Sequence, residues 1–351
     1  MRQWFSLTYS CVSENHINSF MKGGLLMIIP KTIFWEITAK CNFNCIHCYL
    51  GEKKRKTGEF LKETSLNYVD WLYKVGIETI LFMGGEPLIY PYIYDVIKRT
   101  GKYGEGLHAG VLTNGFLLTN EVIARLKASG VSAVQVSIDG IGSSYKKTRG
   151  VNFKVIHENI RRLKENKIRT QAKFTINKRN LDAFDSVWEY CQENKILLST
   201  SLVLEAGNAK NEIIPKPQEY FSLFLKMFKA KERSRLKGKF FGMPDFSIEE
   251  YFTKGQPETG CDAGRGVCGI TADNKFVPCI YLSGLDTKEI FGIEPPEFNK
   301  NFLTAFNFHP LFRLFRKEAA EQFGCPIRKR IYKNKDPFSV YEFAKWYVSK
   351  K

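Results

Sequence analysis

Three cysteines in the spacing CxxxCxxC constrain this chain more than any other feature of its sequence. Cys41, Cys45 and Cys48 follow the mostly apolar run 34–38. A loop this short brings three thiolates to one face of a cube-shaped iron–sulfur cluster and leaves the fourth iron without a protein ligand. An iron with an open position can bind and activate another molecule. The spacing therefore predicts a catalytic 4Fe-4S cluster.

Zinc is the alternative metal for these cysteines. Zinc sites usually pair cysteines as CxxC and complete the shell with a second pair or with histidines. His47 could join such a shell, but it is adjacent to Cys48, and neighbouring residues can hardly turn both side chains onto one metal. The spacing favours the cluster and leaves zinc open.

A second motif, Gly84-Gly85-Glu86-Pro87, directly follows the strand-like run 79–83. Paired glycines let a backbone approach a ligand closely, and the proline fixes the turn. Alone, the pattern is also that of an ordinary glycine turn. Because it comes one predicted strand after the cysteines, we interpret it as a wall of the same site.

Polar residues also end the next two strand-like runs. Thr113 and Asn114 end the first of these runs, and Ser137 and Asp139 end the second. In α/β barrels, ligand-binding residues gather at the carboxyl ends of the strands. The sequence therefore predicts one cleft shared by these residues and the cysteines.

Together these motifs resemble the radical S-adenosylmethionine (radical SAM) superfamily. The resemblance implies that S-adenosylmethionine binds the open iron through its amino and carboxylate groups. One electron from the cluster then cleaves it to a 5′-deoxyadenosyl radical, which takes a hydrogen atom from a substrate. An external one-electron donor such as ferredoxin or flavodoxin is implied as the source of that electron.

The same resemblance assigns residues to the S-adenosylmethionine site, with Glu86 contacting the amino group and Arg149-Gly150 as the family's Arg-Gly pair. Thr175 and Asn177 fall where the following strand contributes, and no residue is singled out as catalytic. The implied cofactor-binding residues are Tyr49, Gly84, Gly85, Glu86, Pro87, Thr113, Asn114, Ser137, Asp139 and Arg149.

Apolar, β-rich segments alternate with amphipathic segments, which predicts parallel strands joined by helical crossovers. We therefore expect an α/β fold that resembles the partial (β/α)6 barrel of the radical SAM core. The predicted strands are 31–38, 78–83, 108–113, 132–138, 170–176 and 197–204, and the predicted helices are 62–75, 90–100, 119–129, 152–166 and 180–194.

Four cysteines beyond the barrel form a second pattern: Cys261, Cys268, Cys279 and Cys325. An alternating hairpin with an Asp273-Asn274 turn brings distant thiolates together. The segment resembles the first half of a SPASM domain, or the truncated twitch domain. It departs from the family's usual Asp-Gly turn, but Asn also tolerates left-handed geometry.

The SPASM/twitch resemblance implies a second, auxiliary 4Fe-4S cluster with these four cysteines as ligands. Structural zinc is the alternative, because four-cysteine zinc sites are common. A cluster with all four positions occupied favours electron transfer over substrate binding. Two cysteines are left over, Cys11 and Cys191, and neither has a position that argues for hydrogen donation.

We therefore expect a smaller C-terminal SPASM/twitch-like domain after the barrel. The predicted division is an N-terminal extension over 1–29, the barrel over 30–208, a helical linker over 209–255, and the auxiliary cluster domain with the C-terminal tail over 256–351.

Composition excludes some classes of protein. No apolar stretch approaches the roughly 20 residues that span a bilayer, and residues 1–20 lack the order of a signal peptide. We expect a cytoplasmic enzyme with reduced cysteines. The formal charge of +17 can attract acidic partners, but it is also that of a lysine-rich solvated surface. The sequence contains no recognisable nucleic-acid-binding module.

Two substrate classes remain open at this stage. The leading one is a peptide or protein side chain, which makes the chain a peptide maturase, as in many relatives with such an extension. The alternative is oxidation or rearrangement of a small molecule such as an aminosugar, a nucleotide or a cofactor precursor.

Overall fold

The computed structural model describes residues 18–22, 25–52, 58–235, 261–322 and 324–350. Cys11, the basic run 53–56 and the last part of the predicted linker, 236–255, lie outside these ranges.

Eight strands form the central sheet, in the order β10-β9-β3-β4-β5-β6-β7-β8. Neighbouring strands from β9 to β8 pair in parallel, and only β10 is antiparallel to its neighbour. A separate antiparallel pair, β1 with β2, precedes it. The strands are β1 Asn18–Lys22, β2 Leu25–Ile29, β3 Thr32–Thr38, β4 Thr79–Gly84, β5 His108–Thr113, β6 Ala133–Ser137, β7 Thr170–Ile176, β8 Leu197–Leu202, β9 Val267–Ile270 and β10 Phe276–Val277.

Helices connect the parallel strands and continue into the C-terminal part. Those described are α1 Lys62–Lys74, α2 Ile93–Gly101, α3 Asn120–Ala128, α4 Ser143–Arg149, α5 Phe153–Glu165, α6 Phe184–Glu193, α7 Pro217–Arg235, α8 Thr287–Phe291, α9 Phe302–Phe308, α10 Pro310–Gln322, α11 Pro326–Ile331 and α12 Val340–Val348.

Helix α5 illustrates why the crossovers form. The side chain of Asn152 caps its N-terminus by accepting a hydrogen bond from the Lys154 amide. Its buried apolar residues recur every three or four positions, as in Phe153, Ile156 and Ile160, and they form a stripe against the sheet. Such stripes, together with the outward faces of the strands, build the main core.

A second core lies beneath the C-terminal cysteines. Its members come from the end of β8, from β10 and from helices α10 and α11: Leu204, Ala206, Ala263, Val277, Ile280, Leu282, Leu311, Phe315 and Ile327. Phe34 and Met83 of the central sheet pack against it. The second core thus joins the C-terminal part to the inner face of the sheet.

The predicted α/β architecture is confirmed, with the six predicted strands found as β3 to β8 and the five predicted helices as α1, α2, α3, α5 and α6. The barrel is an open sheet. The predicted hairpin is β9–β10, and Asn274 at its turn has a φ of 63°. The structure adds that β9 pairs with β3, so that the hairpin extends the central sheet. Helix α4 was not predicted.

No helix within the described ranges is both long enough and apolar enough to cross a membrane. The division of the chain into separate domains stays a prediction.

Candidate active site

One cavity lies at the carboxyl ends of the parallel strands. It encloses about 1420 Å³, part of which is open to solvent. The site residues predicted from the sequence that line this cavity are Cys41, Cys45, Cys48, Tyr49, Gly84, Gly85, Thr113, Asn114, Ser137, Arg149 and Thr175. The structure therefore brings the first cysteine motif and the strand-end residues to one place.

The loop that carries the three N-terminal cysteines is fixed from two sides. The Asn208 amide donates to the Cys48 carbonyl oxygen at 2.8 Å, and Asn208 Nδ2 donates to the Cys45 carbonyl oxygen at 3.0 Å. On the other side, the Ile46 amide donates to the Thr148 carbonyl oxygen of α4 at 3.3 Å. The thiols thus stand on a backbone that is already positioned by β8 and α4.

The glycine pair after β4 packs against the chain's own backbone. A Cβ on Gly85 would lie 2.1 Å from the Lys40 carbonyl oxygen, and one on Gly84 would lie 2.0 Å from that of Thr38. The Glu86 amide donates to the Lys40 oxygen at 2.8 Å. These positions need glycine because the turn lies directly on the segment that leads into Cys41.

Glu86 is buried behind the cavity wall, although the family resemblance placed it on the cofactor. Its carboxylate accepts hydrogen bonds from Thr113 Oγ1 at 2.7 Å, the Asn114 amide at 2.8 Å and the Leu88 amide at 3.2 Å. Burial raises its pKa to about 7, against the effect of these donors. Glu86 therefore holds the end of β5, whose Thr113 and Asn114 face the cavity.

Asp139 is also fully buried, and it organises the polar side of the site. Its Oδ2 lies 2.7 Å from Arg149 Nε and 3.1 Å from His47 Nε2, while its Oδ1 accepts from the Thr175 amide at 2.6 Å. Burial alone raises its pKa, but the charges of Arg149 and His47 outweigh burial and lower the pKa to about 2. Arg149 Nη1 in turn lies 3.9 Å from Cys45 Sγ.

The position of His47 next to Cys48 argued against it as a metal ligand, yet His47 lines the cavity. Its Nε2 contacts Asp139. Its Nδ1 is a buried polar atom without a hydrogen-bond partner among the described residues. Such an atom is costly unless a bound molecule satisfies it, so the arrangement fits a site that holds a ligand.

Lys173 was missed by sequence reasoning because a single lysine in an apolar strand carries no motif. It lies on β7 between Ser137 of β6 and Ser199 of β8, and it lines the cavity. Its Nζ donates to Ser199 Oγ at 3.2 Å and to the Thr200 carbonyl oxygen at 3.3 Å. Burial lowers its pKa to about 8, so the amine is still mostly protonated at neutral pH.

Glu36 was also missed, and it lies in the middle of β3. Tyr49, which follows the third cysteine, donates to its Oε1, and Ser283 Oγ donates to its Oε2 at 2.7 Å. The Ala272 amide also donates to Glu36 Oε2, at 3.2 Å. The Tyr49 ring also meets the Tyr281 ring edge to face, with centroids 5.2 Å apart. These contacts connect the first cysteine motif to the C-terminal part.

The four C-terminal cysteines pack in two different cores. Cys261, Cys279 and Cys325 all pack against the second core. Cys268 belongs to the main core, with 1% of its surface exposed. The side chain of Cys191 is buried in the main core as well.

No group of three or more His, Cys, Asp or Glu side chains in the described ranges is arranged around a single metal ion. A 4Fe-4S cluster spreads its ligands over separate irons, so its cysteines need not converge on one point.

Comparison with known proteins decides the family. Residues 35–184 match the model of the radical SAM superfamily, a range that contains the first cysteine motif, the glycine motif and the strand ends described above. The chain is a radical SAM enzyme. The matched range includes the three N-terminal cysteines and the strand-end residues that line the cavity.

Two kinds of curated relative are similar to this radical SAM enzyme. The AdoMet-dependent heme synthase of Methanosarcina barkeri is 26% identical over 72% of this chain and 77% of its own length. The AdoMet-dependent heme synthase of Nitratidesulfovibrio vulgaris is 27% identical over 76% of this chain and 78% of its own length. The mycofactocin maturase MftC of Mycobacterium ulcerans is 34% identical, but over only 32% of this chain and 30% of its own length.

Solved structures share the fold. Streptococcus suis SuiB bound to its precursor peptide SuiA matches with a TM-score of 0.66 at 15% identity, over 82% of this chain and 67% of SuiB. The enzyme anSMEcpe with bound AdoMet and a peptide matches with a TM-score of 0.60 at 16% identity, over 92% of this chain and 100% of anSMEcpe. At such identities the likeness concerns architecture alone.

The N-terminal cysteine motif fits the radical SAM cluster. Three thiols face one cavity, and two N–H donors approach their sulfurs: the Phe43 amide lies 3.4 Å from Cys41 Sγ, and Arg149 Nη1 lies near Cys45 Sγ. Donors of this kind stabilise thiolate charge. The donor set and its surroundings therefore suit a cluster with one iron open to the cavity.

Proposed function

We propose that this radical SAM enzyme takes a hydrogen atom from a carboxylate-bearing small molecule, such as a heme precursor, bound in the cavity beside S-adenosylmethionine. The observation that carries the proposal is the shared cavity, which is lined both by the three cysteines of the loop after β3 and by Lys173 of β7. A cofactor on the cysteine side and a substrate anion at the amine can occupy it together.

Cys41, Cys45 and Cys48 would hold a 4Fe-4S cluster, which would supply the electron for reductive cleavage of S-adenosylmethionine. The chain's own residues bind and orient the reactants. Ser137, Asn114 and Arg149 add polar groups to the lining of the same cavity. Asp139 holds the Arg149 guanidinium in place and keeps it charged.

The Lys173 amine is the feature that points to an anionic substrate. It lies between Ser137 and Ser199 in a cavity whose lining also contains the apolar residues Phe34, Leu112 and Val203. A carboxylate placed against it would form a charge-assisted hydrogen bond in surroundings of low dielectric constant. The same contact would raise the depressed pKa of the amine towards its ordinary value.

The extent of the similarity supports a small molecule over a peptide. The heme synthases align with 72% and 76% of this chain. Heme itself carries carboxylate side chains. One further relative, an Fe-coproporphyrin III synthase of Methanosarcina barkeri, is 32% identical over 52% of this chain.

Peptide maturation, the leading prediction from the sequence, is the second candidate. It is favoured by MftC, whose similarity covers about a third of the chain, and by the peptide complexes of SuiB and anSMEcpe, which share the fold. We propose a second cluster at the C-terminal cysteines in either case, and ferredoxin or flavodoxin as the electron donor.

Iron coproporphyrin III and Lys173 variants test the substrate class. We expect the porphyrin to increase 5′-deoxyadenosine formation by the wild-type enzyme. Lys173→Met should abolish that increase while leaving the slow formation without substrate unchanged, and Lys173→Arg should retain part of it. The readouts are deoxyadenosine by chromatography and porphyrin binding by its visible absorbance.

Lys178→Met is the matched control, because Lys178 lies just beyond β7 and its side chain is exposed. No binding of the porphyrin would contradict the heme-precursor proposal. Modification of a peptide encoded beside the gene, with Lys173→Met as active as wild type, would favour the maturase instead.

A further inference from the structure

The register of the C-terminal hairpin separates Cys268 from Cys279. Side chains alternate between the two faces of a strand, and paired residues of neighbouring strands share a face. Cys268 pairs with Ile33 of β3, and both belong to the main core. The next pair, Gly269 with Phe34, faces the other way, since Phe34 packs against the second core and lines the cavity.

The second strand of the hairpin shows the same division. Phe276 pairs with Ile270 in the main core, whereas Val277 pairs with Gly269 on the side of the second core. Cys279 follows two residues after Val277 in extended backbone, with φ −137° and ψ 129°, so it continues on that side. Cys268 and Cys279 therefore point to opposite faces of the hairpin, although both residues border the cavity.

The packing of the cysteines agrees with this division. Cys261, Cys279 and Cys325 all pack against the second core. Cys268 has 1% of its surface exposed and packs in the main core. Cys261, Cys279 and Cys325 thus form a set of three, and Cys268 lies among residues of the main core.

We infer that the auxiliary site of this enzyme has three cysteine ligands, Cys261, Cys279 and Cys325, and that the fourth position of its cluster is left to a molecule in the cavity. Cys268 is then a core residue. The four-cysteine set expected from the SPASM/twitch resemblance does not fit the geometry, because Cys268 would have to reach across the strand. A fourth iron on this side of the hairpin would lie beside Cys279, Pro278 and Tyr281, which line the same cavity as the N-terminal cysteines.

An open iron beside the active site changes what the auxiliary cluster can do. A cluster ligated by four cysteines has no free position, whereas one with three can accept an oxygen or nitrogen donor of a bound molecule. The class of ligand is therefore a carboxylate, an amine or another small donor. This inference rests on the proposal that the C-terminal cysteines hold a cluster.

Iron content of the full-length protein tests the ligand set. The background is the triple variant Cys41→Ala, Cys45→Ala, Cys48→Ala, reconstituted anaerobically, which should retain about four irons. We expect Cys268→Ala and Cys268→Ser in this background to keep these irons. Cys279→Ala and Cys325→Ala should each lose most of them. Cys191→Ala is the matched control, because Cys191 is as buried as Cys268 and lies in the same core.

Cyanide tests the open position. Added as the ¹³C-labelled ion to the reduced triple variant, it should shift the electron paramagnetic resonance signal and show a carbon hyperfine coupling. Loss of iron from both Cys268 variants while Cys191→Ala keeps it would overturn the inference, and so would a spectrum that cyanide leaves unchanged. A triple variant that holds no iron would instead contradict the proposed second cluster, and a wild-type enzyme that does not bind the porphyrin would contradict the proposed substrate.

Discussion

The Tyr49 hydroxyl donates a 2.6 Å hydrogen bond to Oε1 of Glu36, a carboxylate that has no exposed surface. Tyr49 is the residue after the third cysteine, and the other oxygen of Glu36 accepts from Ser283 and from the Ala272 amide. One buried side chain therefore connects the cluster loop, the central strand β3 and the segment around Cys279. Movement at either cysteine motif must disturb this carboxylate.

The titration of Glu36 should make stability depend on pH. Burial raises its pKa from 4.5 to about 7 in the folded protein. Between these values the folded state binds more protons than the unfolded state, so stability falls as the pH rises through this window. Glu36→Gln should reduce the slope of the free energy of unfolding against pH by up to about 1.4 kcal/mol per pH unit.

The measurement is the free energy of unfolding of wild type and Glu36→Gln by urea at several pH values across that window. Glu86 has a similarly raised pKa, so the difference between the two proteins is the quantity to compare. Equal slopes in the two proteins would contradict this assignment.

Asp139→Asn should be strongly destabilising. The substitution leaves the buried Arg149 guanidinium without its partner, and breaking a buried ion pair on one side costs about 3–5 kcal/mol. The melting temperature measures the loss. Asp95→Asn is the control, because Asp95 pairs with Lys62 at 2.8 Å where both side chains are substantially exposed, and it should melt nearly as wild type does. Similar melting temperatures for the two variants would refute the role given to Asp139.

Local sequence patterns were sufficient to predict the main architecture. Alternating apolar segments located β3 to β8 and their helices, because strand and helix periods are properties of short windows. The pairing of β9 with β3 escaped prediction, since more than 200 residues separate Phe34 from its partner Gly269. Contacts between such distant segments leave no signal in a local window.

The site residues that belong to sequence motifs were predicted, whereas those that stand alone in the sequence were missed. The cysteine spacing and the glycine motif placed their residues on the cavity. Lys173 and Glu36 became visible only once the strands were assembled, because an isolated charge in an apolar strand has no characteristic spacing. The face on which Cys268 lies depends on the pairing of β9 with β3, which the sequence did not reveal.

Glu86→Ala should weaken S-adenosylmethionine binding without altering the cluster. Glu86 positions the Asn114 amide and the Thr113 hydroxyl, so its loss should displace the end of β5 that faces the cavity. We expect affinity to fall about tenfold, which corresponds to about 1.4 kcal/mol. Equilibrium binding of S-adenosylmethionine and the visible spectrum of the cluster are the two readouts.

Glu78→Ala provides the comparison for this variant, because Glu78 lies before the opposite end of β4 and pairs with Lys31. It should bind S-adenosylmethionine as wild type does. Unchanged affinity in Glu86→Ala would remove the role assigned to this carboxylate.

Deoxyadenosine formation tests the central claim most directly. The anaerobically reconstituted wild-type enzyme, incubated with dithionite and S-adenosylmethionine, should form 5′-deoxyadenosine slowly even without substrate. The triple variant Cys41→Ala, Cys45→Ala, Cys48→Ala should form none, because it lacks the three thiolates that face the cavity. Equal amounts of deoxyadenosine from the two proteins would contradict the account.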